Sequence, residues 1–560
     1  MTVVINPGGN KMDIVNLQTN VITSKYEIQE RLNNEIEDFF KRKTNNPKAS
    51  IFDNIYQWNG KYWKKTDRND FELQCNNVLN DYQLSKKDEE FILRNFILNH
   101  IISEDKIDIF SRYLFCMKNC VLCFKENLPT SPENDSPLNG KEYTTLKIGF
   151  EKTIYFIKHE VCKEYHLTHC ANISFIEKKY RKSDNIKLWK SFLERMIPSL
   201  DLPTENTNEK SILSSDELKT QTIDWLNEFI LSLITGKDGN AFFVNLLGPA
   251  QCGKSTLVNF LINSLDNYAY TFSKDDLIYS NLENTSALYS LKDSRLLIYS
   301  EASRRPFNAS FIKEITGGTQ FKYGEQTYKI KARLLIDSNY MLQSEAKTDN
   351  AFDERYALIP VGPSIPREER DVSLDEKLFA ARNDIFSWMI ANYDCKAITI
   401  PECSDFYKKI MKFSLSPARV FYNSCFIGFY GYVNVYIGTT TGMTTLLKEE
   451  DIWIYYINNF KQVYSRMLRN CPFFNYSEDY VDELFNTTQK ELINQLAMLH
   501  KNVSKACSGN TMKLRFNELD FISDSELETM SLPIAYFRII KYSEIFKNFR
   551  KNITVNIGHI

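Results

Sequence analysis

The chain has 560 residues, 43% of them hydrophobic and 13% aromatic, and 69 Lys and Arg face 71 Asp and Glu for a formal charge of −2. This composition fits a folded protein of several domains rather than a disordered one, and the near-neutral balance confines any nucleic-acid contact to local basic patches. No run of about 18 apolar residues is present, which excludes a membrane-spanning helix, and the opening ten residues lack the charged and apolar regions of a secretory signal. The 12 cysteines are irregularly spaced, which points to free thiols in a reducing, intracellular setting.

In chain order, residues 1–49 read as a helical lead-in, because Tyr26 to Lys43 is rich in Glu, Lys and aromatics at helical spacing. Residues 50–200 carry mixed signals and read as an α+β domain, with a loop at 129–140 where nearly every residue is a turn former. Residues 201–216 are polar and aperiodic and read as a linker. The run Gln221–Leu231 predicts an amphipathic helix leading into an α/β unit over 217–395. Residues 396–560 read as a mostly helical or winged-helix accessory domain. Its basic, aromatic-rich end, Tyr536–Lys551, reads chiefly as a core face, with Phe537, Ile540, Ile545 and Phe549 at helical spacing.

The strongest chemical signal is Gly248-Pro249-Ala250-Gln251-Cys252-Gly253-Lys254-Ser255-Thr256, a complete G-x-x-x-x-G-K-[ST] phosphate loop. The glycines let backbone N–H groups turn toward a phosphate, Lys254 offers a charge to the β- and γ-phosphates, and Ser255 offers a hydroxyl to Mg²⁺. An apolar run, 242–247, precedes the loop as a buried parallel strand should. A helical pattern, 256–262, follows it, so the phosphate would meet a helix N-terminus. The expected cofactors are therefore ATP and Mg²⁺.

Three further segments complete this pattern. Arg295–Glu301 is an apolar strand ending in a carboxylate that can polarise the attacking water and serve Mg²⁺. Ala332–Asn339 is a second apolar strand, ending in an amide suited to touching the γ-phosphate. Arg355 precedes a third strand, where a guanidinium can reach the phosphate of a neighbouring subunit.

The order of loop, acid, Thr316-Gly317-Gly318, Asn and Arg resembles that of the superfamily 3 helicases, small AAA+ ATPases of DNA viruses, phages and plasmids. Abundant Asn, Lys, Ile, Tyr and Phe also suit an AT-rich genome of that kind. The likeness extends to Ile55–Trp63 and Lys118–Leu122, which resemble the domain preceding the helicase in poxvirus- and phage-type primase-helicases, and to Asp384–Met389 after the core. It implies an AAA+-type parallel-sheet core and a ring, expected as a hexamer, that acts on single-stranded and forked DNA with 3′-to-5′ travel. It also implies a β-hairpin over 321–331 that grips DNA, with Lys313, Lys322, Lys329 and Lys331 for phosphates and Tyr323 or Tyr328 for base stacking. No N-terminal primase site is visible, so a separate primase and polymerase are expected, at a replication site in host cytoplasm or nucleus. Many members carry two adjacent acids where this chain has Ser300-Glu301. That single acid keeps open an alternative, an ATP-regulated initiator or scaffold that does not unwind DNA. Cys116, Cys120, Cys123, Cys162, His166, His169 and Cys170 have partial zinc spacing but lack knuckle glycines, and read as buried thiols and core histidines.

Overall fold

The computed structural model describes separate stretches between residues 13 and 515, the longest being 50–82, 152–198, 241–272 and 350–394. Residues 199–214, 273–284, 343–349 and 516–560 lie outside the described set, as does most of 405–480. The expected loop at 129–140 (apart from 136–138), most of the expected linker, and the basic stretch 536–551 therefore fall outside it.

The N-terminal region opens with an antiparallel pair, β1 (Asp13–Asn16) and β2 (Val21–Ser24), followed by helix α1 (Lys25–Glu35). The helix expected through Lys43 stops early. Asp38 adopts φ 60°, and Phe39 and Phe40 are buried in strand β3 (Phe39–Arg42). Adjacent aromatics buried on both faces suit a strand better than an amphipathic helix. β3 pairs with β4 (Ile55–Trp58), which pairs with β5 (Trp63–Lys65). Helices α2 (Arg68–Leu79) and α3 (Lys86–Asn99) begin at caps, with the Asp67 carboxylate accepting from the Asn69 N–H at 2.8 Å and the Ser85 hydroxyl from the Asp88 N–H at 3.2 Å. Ile28 and Leu32 of α1 share one core with Phe39, Ile55, Phe71 and Phe96. The lead-in is thus packed against α2, α3 and the β3–β4 pair rather than standing apart.

A short parallel contact joins β3 to β6 (Ile101–Ile102). A second, antiparallel sheet comes next, ordered β7 (Leu114–Cys116), β8 (Val121–Phe124), β10 (Lys152–Ile157), β9 (Tyr143–Ile148). Helices α4 (His159–Tyr165) and α5 (Ser183–Met196) succeed it.

Helix α6 (Ser215–Thr235) takes in the last two residues of the expected linker, since Ser215-Asp216-Glu217 places two acids in the first turn, where they favour the helix dipole. The chain then builds a five-stranded sheet, ordered β12 (Ala269–Thr271), β13 (Leu296–Ala302), β16 (Arg333–Ser338), β11 (Phe243–Leu247), β17 (Tyr356–Pro360). All its pairings are parallel. β11 and β17 are buried throughout, as parallel strands covered on both faces must be. Between β13 and β16 lie the helix Ala309–Thr316 and a hairpin, β14 (Gln320–Tyr323) and β15 (Gln326–Lys329). Helix α7 (Lys254–Leu265) follows β11, and the helix Leu374–Asn392 follows the sheet.

One hydrophobic core runs through this unit and the preceding sheet, uniting Phe115, Leu122, Trp189, Phe229, Phe260 and Phe386. Beyond 396, the described residues include a four-stranded sheet, ordered β18 (Phe426–Phe429), β21 (Thr511–Arg515), β19 (Tyr436–Gly438), β20 (Thr444–Leu446), alongside the helix Gln489–Ser504. The sheet stands beside helical segments in the region read as mostly helical or winged-helix, and 426–446 is rich in Tyr, Ile, Val and Thr and poor in helix formers. No described helix is long and apolar enough to cross a membrane.

Candidate functional site

The phosphate loop joins the carboxyl end of β11 to α7, the end of a parallel sheet at which ligands gather. Its conformation depends on residues without a side chain. A Cβ on Gly248 would stand 1.9 Å from the Val361 carbonyl oxygen, and Gly253 takes φ 101° with Phe192 and Met196 of α5 behind it. Gln251 also adopts a positive φ, 63°. The loop is tied down from outside: the Ser364 hydroxyl donates to the Ala250 carbonyl at 2.6 Å, and the Ile365 N–H donates to that of Gln251 at 2.9 Å. Gly253 caps α7 without a side-chain hydrogen bond, and no acid occupies the first turn. The start of α7 thus has neither a capping side chain nor an acid beside it, the condition in which a helix N-terminus can receive an anion.

Lys254 is buried, 6% exposed, in the first turn of α7. Its ammonium donates to the carbonyls of Gly248 at 2.7 Å and Pro249 at 2.6 Å, and to Asn339 Oδ1 at 3.0 Å. The loop lysine and the amide that ends β16 therefore meet, although 85 residues separate them. Ser255 is exposed beside them, and Thr256 is half-buried. Burial pushes the Cys252 thiol up, against the pull of Lys254, and the thiol donates to the Pro249 carbonyl at 3.0 Å.

Glu301 lies in a bulge. Tyr299 pairs with Ile336 and Ala302 with Ser338, so Ser300 and Glu301 together oppose the single residue Asp337. Glu301 takes φ 53° and its side chain is exposed at the carboxyl end of β13. Bulges beside sites re-aim side chains in this way.

Asp337 is the site residue that the sequence did not single out. It is 3% exposed, and its Oδ1 is buried without a hydrogen-bond partner. Burial raises its pKa above the usual carboxylate range, opposed by the Ser300 hydroxyl, the Glu301 N–H and the charge of Lys254. An unsatisfied buried carboxylate oxygen is costly and calls for a specific partner, such as water or an ion. On the sheet's other face, the Asn245 amide donates to the Tyr356 hydroxyl at 2.7 Å and accepts from the Ser338 hydroxyl at 2.9 Å, locking β11, β16 and β17 side by side.

Lys254, Ser255, Asn339, Glu301 and Asp337 thus gather at one edge of the sheet. Arg355 does not join them. It ends the helix Asn350–Arg355 directly before β17, level with the start of β11, roughly 16 Å of strand from the loop. There its Nη1 donates to the Ala351 carbonyl at 3.0 Å, and its Nη2 lies beside Gly317.

On the hairpin, Lys322 opposes Thr327 and Lys329 opposes Gln320, and both lysines are exposed. Lys331 is exposed as well, and Lys313 is half-buried on the helix before the hairpin. Tyr328, expected as a base-stacking residue, faces the other way. It is 6% exposed, stacked on Phe321 and edge-on to Tyr289, so packing occupies its ring.

The cysteine and histidine cluster is structural in its contacts. Cys116, Cys123, Cys162 and Cys170 are buried in one apolar core, His166 stacks on Trp63, and His169 stacks on Tyr268. Among the described residues, no group of three or more His, Cys, Asp or Glu is arranged to hold a metal ion.

No family model and no curated protein matches the chain. Among solved structures, 103 chains match. An A-form apo structure of the NrS-1 C terminal region is 10% identical with TM-score 0.30 over 45% of this chain, which spans 57% of that one. An apo structure of NrS-1 residues 305–718 is 11% identical, with TM-score 0.31 over 60% of this chain and 68% of that one. JCV helicase is 12% identical, with TM-score 0.23 over 43% of this chain and 72% of that one. Similarity at this level does not by itself assign a chemistry, which must come from the loop and the sheet.

Proposed function

We propose that the chain is an ATP-dependent DNA helicase with an AAA+-type core of the superfamily 3 kind, acting as a ring on single-stranded and forked DNA. The observation that carries this reading is the 3.0 Å contact between Lys254 and Asn339, which joins the phosphate loop to a strand inserted between the loop strand and the acid strand. That insertion gives one γ-phosphate position access to the lysine, the amide and the acid together. Lys254 and the N–H groups of α7 hold the phosphates, Asn339 orients the terminal one, and Glu301 accepts the proton of the attacking water.

Ser255, Glu301 and Asp337 are the residues that would hold Mg²⁺, and the orphaned Asp337 Oδ1 is the feature that fits a hard cation there. Bound Mg²⁺ supplies charge neutralisation at the phosphates. Two carboxylates divided between adjacent strands favour this reading over an initiator with one acid and no hydrolysis. Arg355, on the far edge, serves the site of a neighbouring subunit, and Lys322, Lys329 and Lys331 face the DNA strand. A separate primase and polymerase complete the replication apparatus.

The test is hydrolysis of ATP, and unwinding of a forked duplex, by the full chain and by Lys254→Ala. A loss of at least about 100-fold in both activities is expected. Hydrolysis that persists in Lys254→Ala would sink the assignment.

A further inference from the structure

At the amino edge of the sheet, opposite the phosphate loop, a crevice of about 480 Å³ opens between the starts of β11 and β16, the Gly317-Gly318 turn and the root of the hairpin. Among the described residues, its charged lining consists of Arg112, Lys329, Lys331 and Arg333. A second chamber of about 310 Å³ shares Arg112, Lys329 and Lys331 with it, so the two form one trough. The second chamber does hold acids, Asp108 and Asp293. Both are engaged within the protein, Asp108 by the Thr168 N–H at 2.7 Å and hydroxyl at 2.6 Å, Asp293 by the Ser111 hydroxyl at 2.8 Å.

The cations form a line. Lys329 and Lys331 are exposed and Arg333 is half-buried, while Ile330 and Ala332 between them are buried, so the three charges fall on one side. A two-residue step along extended backbone is about 6.6 Å, comparable to the spacing of successive phosphates in an extended strand. A single phosphate calls for converging donors, whereas a line of cations suits a polyanion. The Arg333 guanidinium is held 4.8 Å above the Phe242 ring, which fixes one end of the line. Gly318, at φ 69°, has nothing within 4 Å of where a Cβ would stand, so the opposite wall leaves room for a sugar-phosphate chain.

We propose that this trough is a track for the backbone of a single nucleic-acid strand. In it, Arg112, contributed from before the second sheet, and Arg333, at the start of β16, extend the phosphate contacts beyond the hairpin. The inference rests on the nucleic-acid motor proposed above and adds two residues to it. Contacts to the backbone alone make the track indifferent to sequence.

The experiment is fluorescence anisotropy of the full chain with a labelled oligo-dT strand over a range of salt concentrations, repeated for Arg112→Ala, Arg333→Ala and Arg333→Lys. Arg112 is exposed, so its truncation leaves the core intact. Each alanine variant is expected to bind several-fold more weakly and to lower the slope of log K against log salt by about 0.7, the value for one phosphate contact on a single strand. Arg333→Lys is expected to keep the slope. If the wild-type chain binds no oligonucleotide, the helicase reading itself fails. If it binds while both alanine variants keep the wild-type affinity and slope, the track alone is refuted. Alanine variants that change the KM for ATP and not oligonucleotide affinity would likewise refute it, placing a neighbour's triphosphate in the crevice instead.

Discussion

At the scale of single residues, Asp337 has the most to explain. A carboxylate at 3% exposure, with one oxygen unsatisfied, is tolerated only where something recovers its desolvation cost. Lys254 and a cation bound beside Ser255 and Glu301 would do so. Asp337→Asn keeps the shape and removes the charge. It is expected to weaken Mn²⁺ binding in the presence of a non-hydrolysable ATP analogue by about 10-fold, read by electron paramagnetic resonance. Unaltered Mn²⁺ affinity would take Asp337 out of the metal-holding set. This residue was not legible in the sequence, where it is only the polar tail of an apolar strand. Its role arises from the bulge that sets it against both Ser300 and Glu301, and a bulge depends on pairing between segments far apart in the chain. The loop itself was legible, because all its requirements are local: glycines where the backbone turns, a lysine, a hydroxyl and a helix directly after them.

At the scale of elements, the junction where 106–108, 110–114 and 166–170 meet the start of β13 holds two titratable groups with opposite tendencies, the buried Asp108 and the half-buried His169. Burial pushes His169 down to about 4 and pushes Asp108 up to about 7. His169 is lowered on folding, so its contribution is fully present above the unfolded value of 6.5 and is lost as pH falls toward 4. Asp108 is raised, so its contribution is fully present below 3.8 and is lost as pH rises through 7. The two offset each other in the wild type, and His169→Gln separates them. The stability advantage of the wild type over this variant is expected to shrink by on the order of 3 kcal/mol between pH 7 and pH 4, measured by urea unfolding. An advantage that stays constant over that range would mean that His169 is not held neutral. The elements of the five-stranded parallel sheet were readable from sequence because each buried strand is a short apolar run beside a turn. β3 and the sheet containing β18 were not, since short strands are fixed by partners distant in sequence rather than by their own periodicity.

At the scale of the whole molecule, Lys254 and Arg355 lie at opposite edges of one sheet, so a ring would combine one subunit's lysine with the next subunit's arginine. Lys254→Ala and Arg355→Ala are each expected to be inactive alone. Mixed in equal amounts, they should recover hydrolysis at roughly a quarter of the interfaces, those that draw an intact residue from each side. No recovery on mixing would argue for Arg355 acting within its own subunit or not at all. Phe192 and Met196 of α5 stand behind Gly253, and the Met196 carbonyl accepts from the Gly362 N–H at 2.9 Å. The phosphate loop is therefore braced by a helix that precedes the strands of the parallel sheet in the chain. The smallest portable cassette is thus longer than its motifs suggest: a piece cut just before α6 would keep every signature residue and lose the scaffold that gives the loop its shape.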